Sequence, residues 1–163
     1  MIHKTPPNLA GVVDIEIRAA RIDEPPVQQL IAEALAELSR RYGGSGDDTP
    51  VAPTDFEPPE GAFLVAYAGD ELLGCAGWRA HGTDAELKRM FTTPAARGRG
   101  VARRVLTAIE ESARERGCER VILETGDKQP EAIALYLKCG YERIEDFGFY
   151  AGDDGVCSFA RVL

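Results

Sequence analysis

Arg97-Gly98-Arg99-Gly100-Val101-Ala102 combines residue types and a spacing that could hold a pyrophosphate. Four arginines (Arg97, Arg99, Arg103 and Arg104) fall within eight residues of a chain whose formal net charge is −8. Arg103 and Arg104 would sit in the first turn of the helix that the next residues predict, where the helix dipole disfavours cations. Four residues downstream stand Thr107 and Ala108, not acids, so no helix-face ion pair accounts for them. A bound anion would, because the free N–H groups of a helix start and arginine forks both bind phosphate. Gly98 and Gly100 would let the backbone approach it closely. A solvated basic loop ahead of an ordinary helix fits the same spacing, so the surroundings must decide.

The chain of 163 residues predicts one domain with a full core. Its 44% hydrophobic and 28% charged residues are those of a water-soluble globular protein. No apolar run approaches the roughly 20 residues of a membrane span, so no membrane partner is expected. Residues 1–7 lack the apolar stretch of a signal peptide, which predicts a cytoplasmic location. Cys75, Cys118, Cys139 and Cys157 are widely spaced and accompany only His3 and His81, which predicts free thiols and no metal. The acidic balance argues against nucleic acid.

The elements that must position the arginine loop follow from periodicity and breakers. Alternation predicts a strand over Val12–Ile22, after a tail over 1–11. Pro25 and Pro26 start a helix with Val27, Leu30, Ile31, Ala34, Leu35 and Leu38 on one face, ending near Gly43. Residues 43–60 hold three glycines, four prolines and five acids and predict a flexible loop without regular structure. Ala62–Ala68 and Glu71–Ala80 predict a hairpin around Gly69-Asp70. A strand over Ala85–Thr92 stops at Pro94, and the helix from Val101 ends at Gly117. A strand over Arg120–Glu124, a helix over Pro130–Cys139 and strands over Tyr141–Tyr150 and Val156–Leu163 complete the chain. The order β-α-β-β-β-α-β-α-β-β implies an α/β fold, a mixed central β-sheet flanked by helices on both faces.

That order, with Arg-Gly-x-Gly-x-Ala after the fourth strand, resembles the GCN5-related N-acetyltransferase (GNAT) family. Ala132-Ile133-Ala134-Leu135-Tyr136-Leu137-Lys138-Cys139-Gly140-Tyr141 resembles the family's second signature, and Glu86-Leu87-Lys88-Arg89-Met90-Phe91 resembles its fourth strand. The likeness covers about residues 62 to 150. It implies a single acetyltransferase domain over 1–163 that uses acetyl-CoA. The diphosphate would lie on the backbone amides of Arg97, Gly98, Arg99, Gly100, Val101, Ala102 and Arg103. The pantetheine would run beside Met90, Phe91 and Thr92, with Ala132 and Tyr136 completing the cofactor contacts. Where the family often has asparagine seven residues before the tyrosine, this chain has Gln129, whose longer amide would have to make the same contact.

Acetyl transfer needs a neutral amine, a polarised thioester carbonyl and a proton for the departing thiolate. A backbone N–H of the fourth strand can polarise the carbonyl. The resemblance makes Tyr136 the general acid, since a phenol of pKa near 10 stays protonated at neutral pH. It makes Glu86 the general base, directly or through water, needing a raised pKa or a relay to do so; a glutamate ion-paired beside Lys88 and Arg89 is an equal reading. His81 is an alternative base. Tyr42, Phe56, Trp78, Phe147, Phe149 and Tyr150 could wall an acceptor pocket or simply fill the core. Asp47, Asp48, Asp55, Glu57 and Glu60, on a loop at the acceptor side, would favour a cationic acceptor.

These readings converge on an N-acetyltransferase acting on the primary amine of a small molecule, as monomer or homodimer. A protein or peptide amine is an alternative acceptor, and a non-catalytic acyl-CoA sensor is an alternative function. A dinucleotide oxidoreductase is disfavoured because the third glycine of Gly-x-Gly-x-x-Gly is missing, and a P-loop because Gly-Lys-Ser/Thr is absent.

Overall fold

The structure is a computed structural model, and it describes residues 14–163. The predicted 1–11 tail, together with Val12 and Val13, lies outside the described residues. Seven strands form one mixed sheet: β1 (Glu16–Ala19), β2 (Gly61–Ala68), β3 (Glu71–His81), β4 (Asp84–Thr92), β5 (Arg120–Gly126), β6 (Glu142–Arg143) and β7 (Val156–Val162). Their spatial order is β1-β2-β3-β4-β5-β7-β6. All neighbours are antiparallel except β4 and β5, which the crossover helix α2 (Val101–Glu115) makes parallel. Helix α1 (Pro25–Tyr42) covers one face, and α2 covers the other with help from α3 (Pro130–Lys138).

Alternation along the strands divides the apolar residues between two cores. On β2, Phe63 and Val65 face α1, where Val27, Leu30 and Ile31 meet them, while Leu64 and Ala66 face Val105, Leu106 and Ile109 of α2. The α1 stripe splits further than its spacing suggests. Val27 through Ala34 are buried, but Leu35 and Leu38 are half-buried and line an open cleft instead.

The defining feature of the sheet is where β4 and β5 part. They pair only at Ala85–Val121 and Glu86–Ile122. Just beyond, β4 carries an extra residue relative to β3: Gly77 pairs Lys88 and Cys75 pairs Phe91, so two steps on β3 match three on β4. Arg89 sits in that bulge at φ +58°, unusual for a residue with a side chain. The bulge bends β4 away from β5 and leaves a wedge between them.

Three expectations are corrected. The first strand spans four residues rather than eleven, because β1 is an edge strand that leaves the sheet at Ala20 to reach the α1 start at Pro25. The 43–60 loop is not devoid of regular structure: Pro53–Phe56 forms a 3-10 turn whose Phe56 is buried against Phe63. The strand expected over Tyr141–Tyr150 shrinks to Glu142–Arg143, after which the chain leaves the ladder to pack over β5, with Tyr150 N–H donating to Glu124 at 3.0 Å.

Glu110 of α2 is buried in the core although its position reads as an exposed helix face. It accepts from Tyr141 Oη at 2.8 Å and from Arg161 at 2.9 Å, tying α2 to β7 and to the end of α3. Glu110→Ala would strand two donors, and should lower the unfolding free energy by about 3 kcal/mol, read from urea denaturation.

Candidate active site

Two clefts open from the β4–β5 wedge. The first, about 500 Å³, runs along Met90, Phe91 and Thr92 to the start of α2 and is closed on its far side by Ala132 and Tyr136 of α3. At its end Gly98 and Gly100 both take φ +78°, with open space where a Cβ would stand. Arg104 is the first residue of α2 whose N–H finds a helical acceptor, Gly100 O at 3.1 Å. The N–H groups from Gly98 to Arg103 are left without backbone acceptors among the described residues. Six amides without backbone acceptors in an open glycine turn at a helix N-terminus suit a diphosphate, so the residues fit the cosubstrate that the motif implies.

The arginines divide. Arg99 and Arg103 are exposed and have no ion-pair partner among the described residues. Arg104 donates to Ile15 O at 3.1 Å, and Arg97 pairs with Glu37 of α1. Tertiary partners therefore account for two of the four arginines, and Arg104 is one of the two that helix spacing leaves unexplained.

The second cleft, about 350 Å³, lies between α1, the 43–60 loop, β4, β5 and the segment before β7. Tyr42 and Tyr150 wall it. Arg89 pairs with Asp47, Lys88 Nζ lies 3.8 Å from the same carboxylate, and Thr49 and Tyr150 donate to it at 2.6 and 2.7 Å. Burial by itself would raise the pKa of Asp47, but Lys88, Thr49 and Arg89 outweigh it and hold it at about 2. Burial pulls Lys88 below the ordinary lysine range, with Asp47 opposing.

The two clefts meet at Met90, Gln129 and Tyr136, which line both. Tyr136 is buried, its hydroxyl donating to Met90 Sδ at 3.7 Å, and burial pushes its pKa well above that of a free phenol. Gln129, at the N-cap of α3, donates to Tyr42 Oη at 3.4 Å.

The structure does not bring Glu86 to this junction. Its buried carboxylate accepts from Arg79 Nε at 2.8 Å beneath the 43–60 loop and lies outside the lining of both clefts. His81 is at the β3–β4 turn, stacked edge-on with Phe147. Phe56 and Trp78 are core residues, and Phe149 is exposed. Of the loop acids, Asp47 and Asp48 line the second cleft, while Asp55 pairs with Arg79 and Glu57 with Arg21. Sequence reasoning missed Glu124, a cleft residue of β5 with one carboxylate oxygen buried and unpartnered. The only signal was an acid at the end of an otherwise apolar strand.

Comparison with known proteins agrees with this geometry. The acetyltransferase (GNAT) family profile matches residues 31–141. An IAA acetyltransferase of Azospirillum brasilense is 36% identical over 135 residues, spanning 80% of this chain and 88% of that protein. A Klebsiella pneumoniae structure described as an acyl-CoA N-acyltransferase superposes with TM-score 0.76 at 28% identity, covering 91% of this chain and 97% of that one. The PaiA N-acetyltransferase of Thermoplasma acidophilum, solved with coenzyme A, shares the fold with TM-score 0.71 at 17% identity, over 92% and 99% of the two chains.

Two outcomes follow from the site's geometry. Gly100→Val should abolish the thermal shift induced by coenzyme A, whereas Gly82→Val, at a comparable φ of +61° in the β3–β4 turn, should cost a similar 1–3 kcal/mol or so of strain and keep the shift. Asp47 binds fewer protons folded than unfolded between its lowered pKa and the ordinary carboxylate value. Its contribution, about 2 kcal/mol, is therefore present above about pH 5 and lost as pH falls towards 2. Asp47→Asn should remove that part of the acid limb of a stability–pH curve.

Proposed function

The chain belongs to the GNAT acetyltransferase family and is an acetyl-CoA-dependent N-acetyltransferase, and from that premise we propose that it acetylates the primary amine of a small molecule. The observation that carries this reading is the meeting of the amide-lined cleft and the second, walled cleft at Met90 and Tyr136. A cavity of about 350 Å³ is of the size that takes a small ligand. The 43–60 loop and the segment around Tyr150, tied together by Tyr150 Oη donating to Asp47 at 2.7 Å, roof it over and favour a compact acceptor.

Acetyl-CoA supplies an acetyl thioester; the chain's residues position it and handle the protons. The amides of Gly98 to Arg103, with Arg99 and Arg103 beside them, hold the diphosphate. Beyond Glu86 the β5-facing edge of β4 has no strand partner, so Met90, Phe91 and Thr92 offer backbone groups to the pantetheine arm as an added strand would. Met90, displaced from the β3 ladder by the bulge, brings a main-chain N–H to the thioester carbonyl. Tyr136, kept protonated by burial, donates to the departing sulfur, because the thioether of Met90, its hydrogen-bond acceptor among the described residues, is a weak acceptor that the thiolate displaces. Gln129 stands where an amide can reach the pantetheine from the α3 N-terminus.

Acetyl-CoA at a hundredfold excess over its dissociation constant should stabilise the protein by about 2.7 kcal/mol, seen as a rise in melting temperature that NAD and ATP do not produce. Screening small primary amines for release of the coenzyme A thiol tests the acceptor class, and no release with any of them would overturn it. Tyr136→Phe should retain the acetyl-CoA shift while turnover falls roughly 10²-fold.

A further inference from the structure

The second cleft contains several carboxylates, and among the described residues only one of them has a buried oxygen without a hydrogen-bond partner. Asp47 is surrounded by Lys88, Arg89, Thr49 and Tyr150, and Asp48 is bonded to Ser45. Asp153 and Asp154 are exposed at the rim. Glu124 differs. Its Oε2 accepts the Tyr150 N–H at 3.0 Å, but Oε1 is buried without any hydrogen-bond partner. Gly148 packs directly against this carboxylate, and a Cβ there would collide with Oε1. Leaving a buried carboxylate oxygen unpaired is costly, and such a cost is characteristic of functional sites.

Resting on the acetyltransferase reading, we propose that Glu124 is the residue that meets the acceptor: its carboxylate attracts the incoming ammonium group and takes the proton released from nitrogen during transfer. The substrate class is then a small amine that arrives as a cation and is otherwise compact enough for the walled cleft. Glu124 stands on β5 across the wedge from Met90, in the cleft that Tyr136 also lines, whereas Glu86 is held by Arg79. The ammonium first loses one proton to solvent, which leaves the nitrogen lone pair free. As that neutral nitrogen forms its bond to the acetyl carbon and the carbon–sulfur bond breaks, the Glu124 carboxylate gains one proton from nitrogen and Tyr136 Oη gives one to sulfur. Solvent then returns the proton from Glu124 to Tyr136, so that ammonium and thioester become amide, thiol and one proton released to solvent.

The electrostatic surroundings suit the exchange. Burial raises the pKa of Glu124 above the ordinary carboxylate value; the Tyr150 N–H and Lys88 oppose the shift, and Glu86 on β4 and Asp146 before Tyr150 reinforce it. A carboxylate with a raised folded pKa favours the native state below the unfolded value, and that advantage is lost as pH rises through the folded pKa.

Glu124→Gln separates a functional from a structural role. The expected result is a turnover lower by about 10²- to 10³-fold, a raised KM for the amine and loss of the acidic limb of the pH–rate profile. The acetyl-CoA-induced thermal shift should persist. Without ligand, Glu124→Gln should melt no lower than the parent protein at pH 8, because a neutral amide replaces an unpaired buried charge. Glu124→Asp, which keeps the charge but withdraws it by one methylene, should retain an acidic limb at reduced turnover. Wild-type turnover with an unchanged acidic limb in Glu124→Gln overturns this inference and leaves acetyl transfer standing. So does a ligand-free Glu124→Gln protein that melts well below the parent at pH 8. A parent enzyme that releases no thiol with any small primary amine overturns both this inference and the reading it rests on.

Discussion

Beyond Glu86 and Ile122, β4 and β5 have no ladder between them, and the site is arranged around that parting. A parallel pair buried between helices is ordinarily sealed along its length. Here the extra residue at Arg89 turns β4 aside, exposing backbone groups that the sheet would otherwise pair. On the proposed function, the parting would supply an unpaired strand edge for the pantetheine and a wedge for the acyl group, and it joins one cleft to the other. Helix α2 begins where β4 ends, so the same divergence sets the amides of Gly98 to Arg103 at the mouth of the wedge.

A bulge at a residue with positive φ needs support, and Arg89 receives it from the 43–60 loop. Asp47 pairs with Arg89 and sits near Lys88, two cations on adjacent residues of the bent strand. The loop is itself anchored by buried Phe56 and by Asp55, which shares Arg79 with Glu86. Thus the loop that walls the second cleft also neutralises the charges that the bulge brings inside. Glu86 belongs to this support: its ion pair with Arg79 holds β3, β4 and the loop together, away from the transferred group.

Several side chains of α1 have a task that only packing reveals. Leu35 and Leu38 continue the α1 stripe to its outer end, where Leu35 packs at the edge of the core and both line the cleft. Glu37, on the same helix, occupies Arg97 of the arginine loop, and Arg41 reaches Lys128 O at 3.1 Å. The end of α1 therefore bridges from the diphosphate cradle to the start of α3, passing over the junction where Tyr42 and Gln129 meet.

The sequence by itself determined the element order, the bounds of α1 to α3 and the hairpin β2–β3, because periodicity, prolines and glycines act within a few residues of where they stand. It pointed to the glycine turn as well, but that the amides of Gly98 to Arg103 are left without backbone acceptors among the described residues is seen only in the structure. The family resemblance, rather than periodicity, made Tyr136 a site residue, and its contact with Met90 Sδ is seen in the structure. Which carboxylate faces the cleft was decided only by the tertiary structure. Glu86 and Glu124 are both acids on central strands, and nothing local distinguishes them. Arg79 arrives from β3 to neutralise one, while Gly148 and Tyr150 arrive from a segment that leaves its expected strand to enclose the other. Charge compensation is a property of contacts distant in sequence, and composition and spacing do not contain it.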